Sequence, residues 1–271
     1  MPVLVTPGDT PLGVALVERL AAAGGEVRAF VRGTGDVAAL RHAGAFVATG
    51  TSDDVGRLEA AMAQVHTVVD LAGGLLSASP ERVVEDAMVV ATAAAGAGVR
   101  RLVTLSLPGA HADAHDPLRR AKGTVEAMLA EAVTPTVVLR TSLVDTRRVR
   151  DALVTAGTAV PRDHAVSPLH PDDLVDLLVA FDEVRGEAHE GHVVFHAGGR
   201  PTTFGAYVDH VEAVHAAGAS GSGRFVGRVY VPPGDVPLLR PALVGPWVGG
   251  EPDPSFDAWE FTGLAPRPLA T

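Results

Sequence analysis

One stretch of the chain gathers residues that can transfer protons. The segment PGAHADAHDP carries His111 and His115, with Ser106 shortly before it and Lys122 shortly after it. The unperturbed pKa of histidine, about 6.5, lets it act as an acid or a base near neutral pH. We therefore expect the catalytic candidates to be Ser106, His111, His115 and Lys122. For the two histidines, a solvent-exposed polar loop is the alternative interpretation.

The spacing of the two histidines also raises the question of metal binding. His111 and His115 are four residues apart, a spacing that binds zinc when both side chains lie on one helix. Pro108 and Gly109 precede them and Pro117 follows, which disfavours a helix here. The chain has no cysteine, so thiolate nucleophiles, disulfides and cysteine-ligated zinc are excluded. We expect no metal site.

The elements around this segment follow an alternating pattern. Short β-branched runs alternate with Ala- and Leu-rich stretches, which predicts βαβ units and a parallel sheet. The predicted strands are Pro2–Thr6, Val27–Val31, Ala45–Thr49, Thr67–Leu71, Leu102–Ser106 and Thr136–Arg140. The predicted helices are Pro11–Ala23, Val37–Ala43, Val55–Ala63, Pro80–Ala95 and Pro117–Glu131.

The pattern changes after about residue 145. A helix near Asp172–Phe181, a strand at Gly191–His196 and a helix near Phe204–Ala216 follow. The last 40 residues hold nine of the 20 prolines and both tryptophans, which predicts a loop-rich cap rather than another βα layer. We expect a core over residues 1–145, and a C-terminal part over 146–271 that completes the fold and caps the substrate side.

The turn after the first predicted strand reads VLVTPGDTPLG. In doubly wound sheets this turn normally carries a glycine-rich phosphate cradle. Gly8 supplies a permissive backbone, whereas Pro7 offers no N–H and Thr10 puts a β-carbon where a pyrophosphate would approach. Asp9 is expected to cap the following helix, although its charge is unfavourable beside a phosphate. A modified working site and a helix entry that has lost its ligand both stay open.

These segments resemble the short-chain dehydrogenase/reductase superfamily. The resemblance is strongest to its atypical and extended members, the NmrA-like proteins and NAD(P)-dependent epimerases, and covers residues 2–145 well and 165–215 loosely. Their first turn usually reads TGATGxxG, and here Pro7 and Thr10 replace two of its glycines. The resemblance implies a Rossmann-like, doubly wound α/β fold with a smaller C-terminal cap. It assigns cofactor binding in this turn to Thr6, Gly8, Thr10, Leu12 and Gly13.

Two further segments carry the resemblance. The second strand ends VRAFVRG, and family members with arginine at this point resemble enzymes that bind the 2′-phosphate of NADP. The resemblance therefore implies that Arg32 holds this phosphate through its guanidinium, with an ordinary exposed arginine as the alternative. The segment VVDLAGG resembles the stretch that lines the cofactor, which assigns Ala72 and Gly73 to binding. The implied cofactor is NADP.

The family's Tyr-x-x-x-Lys motif is incomplete here. In PLRRAKGTVEAML, Lys122 takes the lysine position, where the family uses it to bind the nicotinamide ribose, and Leu118 takes the tyrosine position. Leucine cannot transfer a proton, so the ordinary reductase mechanism is not available from this position. Lys122 is the only lysine, against 21 arginines, which favours a retained role over chance. The proton would then come from Lys122, a loop histidine or water.

Composition limits the partners. With 22 basic and 32 acidic residues, the net charge of −10 disfavours nucleic acid and anionic membranes. No apolar run approaches the roughly 18 residues that span a bilayer, and the start MPVLVTPGDT lacks signal-peptide features. We expect a cytoplasmic protein that acts on a small organic substrate. The sequence leaves open whether it forms a homo-oligomer.

Three functions remain open from the sequence. The leading hypothesis is an NADP-binding reductase or epimerase-like enzyme of the atypical short-chain type. The second is a non-catalytic NADP-responsive regulator that resembles NmrA-like proteins. The third is a cofactor-free lyase, cyclase or isomerase on the same fold, which the modified first turn motivates.

Overall fold

A sheet of short apolar strands forms the centre of the protein. The computed structural model describes residues 1–33, 37–51, 53–74, 79–141, 143–156, 163, 165–183, 191–218 and 256–269. In chain order the strands are β1 (Val3–Thr6), β2 (Val27–Arg32), β3 (Phe46–Gly50), β4 (Thr67–Asp70), β5 (Arg101–Ser106), β6 (Thr136–Thr141), β7 (Ala165–Val166), β8 (His192–Ala197), β9 (Thr202–Thr203) and β10 (Phe256–Asp257).

Helices connect most of these strands. In chain order they are α1 (Pro11–Ala22), α2 (Ala38–His42), α3 (Val55–Met62), α4 (Pro80–Gly96), α5 (Pro117–Ala130), α6 (Arg147–Ala156), α7 (Pro171–Glu183), α8 (Phe204–Gly218) and α9 (Ala258–Thr262). Helices α1, α4 and α5 all begin with proline, whose fixed φ suits the first helical turn. Within the described residues, no helix combines the length and apolar character needed to cross a membrane.

The main sheet has the order β10-β8-β6-β5-β4-β1-β2-β3, and each of its strand pairs is parallel. Strand β1 lies between β4 and β2, with Val3 opposite Thr67 on one side and Val27 on the other. The chain therefore reverses direction across the sheet next to β1, which is where a doubly wound fold opens its ligand crevice. The predicted Rossmann-like α/β fold is confirmed.

Two apolar layers cover the two faces of the sheet. On one face, helices α1 and α7 pack against the strands through side chains such as Leu16 and Phe181. On the other face, α3, α4 and α5 contribute side chains such as Leu58, Val90 and Val125. Because both faces are covered, the central strands are buried along their whole length, which explains their continuous apolar sequences.

The C-terminal part departs from the predicted elements at α6, at the short strands β7 and β9, and near the C-terminus. Helix α6 lies where we predicted no helix, directly after the loop that follows β6. Near the C-terminus, Phe256 pairs with Phe195 of β8 in parallel register, and Trp259 Nε1 donates to the carbonyl oxygen of Gly198 at 2.8 Å. The predicted absence of any further βα layer is therefore wrong for residues 256–262. Residues 219–255, also predicted as part of the cap, lie outside the described residues.

Candidate functional site

The turn after β1 closes onto the first helix through Thr10. This residue is the N-cap of α1, because its Oγ1 accepts a hydrogen bond from the N–H of Gly13 at 3.0 Å. The expectation that Asp9 caps the helix is wrong. Pro11 starts the helix, so the capping position falls on the residue directly before it, and Thr10 has the extended backbone that a cap requires.

Gly8 and Gly13 let this turn pack closely. A β-carbon on Gly13 would lie 2.6 Å from the carbonyl oxygen of Pro7 and 2.7 Å from that of Gly8. A β-carbon on Gly8 would lie 2.8 Å from the side chain of Ala29 in β2. The Gly8 N–H donates to the carbonyl oxygen of Phe30 at 2.8 Å, so the turn is also tied to β2. Gly8 and Gly13, which were both predicted to bind the cofactor, are therefore needed for the turn to pack.

Some polar groups at this turn remain uncommitted. The Oγ1 atom of Thr6 is buried at the carboxyl end of β1 and has no hydrogen-bond partner among the described residues. Within the same described part of the chain, the N–H groups of Thr10 and Leu12 form no hydrogen bond. Donors at a helix N-terminus suit a phosphate. The turn therefore keeps donors that could bind a phosphate, although two of the family's glycines are replaced.

Lys122 lies buried where α5 crosses the carboxyl ends of β4 and β5. Its side chain is 3% exposed, and Nζ donates to the carbonyl oxygen of Leu105 at 2.7 Å and to that of Ala72 at 3.1 Å. Burial lowers the pKa of this ammonium from its usual 10.5 to about 8, against the opposing charges of Asp70 and Glu126. A lysine whose pKa lies this close to neutral pH is suited to proton transfer.

Gly73 and Asp70 complete the surroundings of this lysine. Gly73 has φ +71°, and a β-carbon there would lie 2.9 Å from Lys122 Nζ. Asp70, the last residue of β4, accepts a hydrogen bond from the Ala72 N–H at 3.1 Å. Its pKa is raised by burial, although the charge of Lys122 acts in the opposite direction. The predicted residues Ala72, Gly73 and Lys122 therefore do come together, with Asp70 as a partner that the sequence did not indicate.

Ser106 is committed to a buried ionic network. Its Oγ donates to Glu126 Oε1 at 2.5 Å, and Arg140 donates to both oxygens of the same carboxylate at 3.0 and 2.6 Å. Glu126 is one helical turn after Lys122 and faces the same strand ends. The described contacts of Ser106 are thus structural. The i, i+4 spacing of Leu118, Lys122 and Glu126 was a signal for this buried helix face.

The remaining catalytic candidates lie apart from this network. Leu118, at the tyrosine position, is 6% exposed and packs in the apolar layer with Val83 and Leu107. His111 and His115 are exposed, although the backbone of His111 packs directly on Gly123 of α5. Among the described residues, no three metal-ligating side chains come close enough to bind an ion.

Arg32 ends β2, where the sequence predicts the 2′-phosphate partner, and it pairs with Asp86 of α4. The distance from its NH1 to Asp86 Oδ2 is 2.5 Å, and the two side chains are 23% and 16% exposed. This partner is 54 positions away in the sequence, so no local motif could have indicated it.

A second buried polar cluster lies beyond the carboxyl end of β6. The hydroxyl of Tyr207 donates to Asp145 Oδ1 at 2.7 Å, and Arg150 NH1 donates to Asp145 Oδ2 at 2.9 Å. His210 Nε2 lies 3.4 Å from the latter oxygen. The cluster ties α6 and α8 to the loop after β6.

Proteins of known structure share this architecture. Triphenylmethane reductase from Citrobacter sp., in complex with NADP(H), is 18% identical over 99% of this chain and 97% of its own, with a TM-score of 0.74. An NADPH-dependent quinone oxidoreductase from Escherichia coli, in complex with NADPH, is 18% identical over 99% and 96%, with a TM-score of 0.73. UDP-glucose 4-epimerase from Thermotoga maritima, with UDP-glucose, is 19% identical over 98% and 94%, with a TM-score of 0.68.

No curated protein sequence matches the chain significantly. A family model described as NAD(P)H-binding matches residues 11–173, which is more than half of the chain. The match begins at Pro11, the first residue of α1, and includes Arg32, Gly73 and Lys122. Together with the fold, it supports the predicted dinucleotide cofactor and the resemblance to atypical short-chain reductases and epimerases. The chain therefore belongs to the NAD(P)H-binding family of Rossmann-like proteins.

Proposed function

We propose that the protein is an NADPH-dependent reductase of the atypical short-chain type, acting on a small organic acceptor. The observation that carries this proposal is the position of Lys122. The chain's only lysine is buried at the carboxyl ends of β4 and β5, beside Ala72 and Gly73, in a chain of the NAD(P)H-binding family. A buried ammonium is costly to maintain, so its presence at this place favours a functional role.

The residues present suggest how the dinucleotide would be held. The N-terminus of α1, with the uncommitted N–H groups of Thr10 and Leu12, would bind the pyrophosphate. Arg32 would bind the 2′-phosphate, and Gly73 would leave room next to Lys122. When bound, NADPH supplies a hydride, while Lys122 would orient the cofactor's sugar or hold a proton at Nζ.

The missing tyrosine limits the substrate class. Hydride addition to a simple ketone gives a localised alkoxide, which needs a proton donor placed beside it. Hydride addition to an electron-poor conjugated acceptor such as a quinone gives a delocalised anion, which water can protonate. Leu118 is buried and Ser106 is bound to Glu126, so we favour the second class. The similarity to a quinone oxidoreductase and a triphenylmethane reductase supports this choice.

The missing tyrosine also disfavours an epimerase-like reaction. Oxidation of a sugar hydroxyl requires a base that accepts its proton, and Leu118 cannot serve as one. The second candidate function, an NADP-responsive regulator without turnover, is favoured by two observations: the hydroxyl of Ser106 is already bonded to Glu126, and Leu118 is part of the core. Family membership favours both dinucleotide hypotheses over a cofactor-free lyase, cyclase or isomerase.

Two measurements test the proposal. NADPH and NADH binding would be followed by cofactor fluorescence in the wild type, in Arg32→Ala and in Arg41→Ala, an exposed arginine on α2 that serves as the charge-matched control. We expect Arg32→Ala to weaken NADPH binding about tenfold or more and to change NADH binding little. Arg41→Ala should bind both dinucleotides like wild type. No binding at millimolar dinucleotide would overturn the proposal.

The second measurement is turnover. NADPH oxidation would be recorded with a panel of quinones and cationic dyes and with a matched panel of simple ketones and aldehydes. We expect oxidation with the conjugated acceptors only. Bound NADPH that no acceptor oxidises, together with capture of a specific protein partner, would instead support the regulator.

A further inference from the structure

The pair formed by Arg32 and Asp86 spans the ligand crevice. Arg32 ends β2, and Asp86 belongs to α4, the helix that follows β4. Strands β2 and β4 are the two neighbours of β1. The ion pair therefore connects the two sides of the crevice above the carboxyl end of β1. The charges of both residues also act on Asp70 at the end of β4, which places the pair near the end of that strand.

The charges around Asp86 nearly cancel. Arg82 NH2 lies 3.5 Å from Asp86 Oδ1, while Arg82 NH1 pairs with Glu85 at 3.1 Å. The side chains of Arg82 and Glu85 are 56% and 61% exposed, so water screens them. Asp86 and Arg32 are the more buried members and lie at the closest distance, 2.5 Å. Arg32 is therefore neutralised by Asp86 before any ligand arrives.

We propose that Asp86 sets the choice between NADP(H) and NAD(H) by competing with the 2′-phosphate for Arg32. This inference rests on the proposed function, in which Arg32 binds that phosphate. A guanidinium binds a carboxylate and a phosphate with the same fork of donors, so the phosphate must displace Asp86 or share Arg32 with it. A phosphate dianion next to the Asp86 carboxylate is repelled, and this repulsion lowers the affinity for NADP(H).

The effect on NAD(H) has the opposite sign. The adenosine ribose of NAD(H) carries a 2′-hydroxyl, which can donate a hydrogen bond to a carboxylate. The end of β2 supplies Arg32 rather than the acidic residue usual in NAD-binding sites. Asp86 supplies that carboxylate from α4 instead. Arg32 can therefore bind the 2′-phosphate of NADP(H), and Asp86 can bind the 2′-hydroxyl of NAD(H). Asp86 shifts the preference toward NAD(H).

The test compares Asp86→Asn with Glu85→Gln, a neighbouring substitution on α4 that removes the same charge from an exposed side chain. Dissociation constants for NADPH and NADH would be measured by cofactor fluorescence, and thermal melting would verify that both variants fold. We expect Asp86→Asn to bind NADPH about tenfold more tightly than wild type, and NADH no more tightly. Glu85→Gln should stay within about twofold for both.

A double variant locates the effect. In an Arg32→Ala background, Asp86→Asn should increase the affinity for NADPH by a smaller factor than it does in wild type, because the two residues act through one contact. If wild type binds NADPH but Asp86→Asn leaves its affinity unchanged or weaker, the competition is refuted while the proposed function stands. If wild type binds neither dinucleotide, the proposed function fails and the inference fails with it.

Discussion

Lys122 donates a 2.7 Å hydrogen bond to the carbonyl oxygen of Leu105, so the chain's only lysine joins helix α5 to the end of β5. The ammonium is held by main-chain oxygens, with no carboxylate of the described residues within ion-pair distance. Its charge is therefore only partly compensated inside the protein. The stability of the fold should depend on whether Lys122 carries its proton.

The first prediction concerns this pH dependence. Burial lowers the native pKa of Lys122 to about 8, while the unfolded chain keeps the usual 10.5. Between these values the unfolded state binds more protons, so the free energy of unfolding rises with pH. Relative to Lys122→Met, which lacks this group, wild type should gain about 2 kcal/mol between pH 7 and pH 9.5.

Denaturant unfolding of both proteins at several pH values measures this difference. Titrating groups remote from Lys122 are common to the two proteins, so their effects cancel in the comparison. A difference that stays constant from pH 7 to 9.5 would show that Lys122 titrates near its ordinary pKa, and hence that it is not desolvated in solution.

The second prediction separates Ser106 from catalysis. Ser106→Ala removes one hydrogen bond to Glu126, but Arg140 still binds both carboxylate oxygens. We expect a loss of about 1 kcal/mol in stability and no large change in turnover. Glu126→Ala leaves Arg140 without its buried partner and should cost about 3–5 kcal/mol. A hundredfold fall in kcat for Ser106→Ala, with normal melting, would instead place this hydroxyl at the substrate.

The sequence predicted the regular part of the fold well, for a physical reason. Strands β1 to β6 are short runs rich in β-branched residues, and proline or glycine marks the ends of helices such as α1, so local pattern and final structure agree. The two-residue strands β7, β9 and β10 carry no pattern of their own. Their existence depends on partners such as Phe195, which tertiary packing brings to Phe256.

The site was predictable only where a motif is local. Lys122, Ala72 and Gly73 follow from short segments, and the structure brings them together. Asp86 and Glu126 escaped prediction because their partners, Arg32 and Ser106, come from other elements. The order of strands in the sheet decides those contacts, and a single sequence does not state that order.

The third prediction concerns Tyr207. Burial and the neighbouring Asp145 raise the pKa of its hydroxyl well above 10, which makes it a poor proton donor near neutral pH. In Tyr207→Phe, Asp145 keeps its bonds to Arg150. We expect a loss of about 1–2 kcal/mol in stability with kcat unchanged. A variant that melts normally but no longer turns over would identify Tyr207 as the replacement for the missing tyrosine.

The fourth prediction uses two adjacent glycines. At Gly73, φ is +71°, and a β-carbon would lie 2.9 Å from both Lys122 Nζ and Val83 Cγ1. Gly73→Ala should therefore be strained by about 1 kcal/mol or more in its backbone, and it should also displace the lysine. We expect lower stability, measured by denaturant unfolding, and weaker NADPH binding, measured by fluorescence. Among the described residues, a β-carbon at Gly74 meets nothing within 4 Å, so Gly74→Ala is the matched control and should resemble wild type. Equal behaviour of the two variants would mean that the backbone at Gly73 does not hold Lys122 in place.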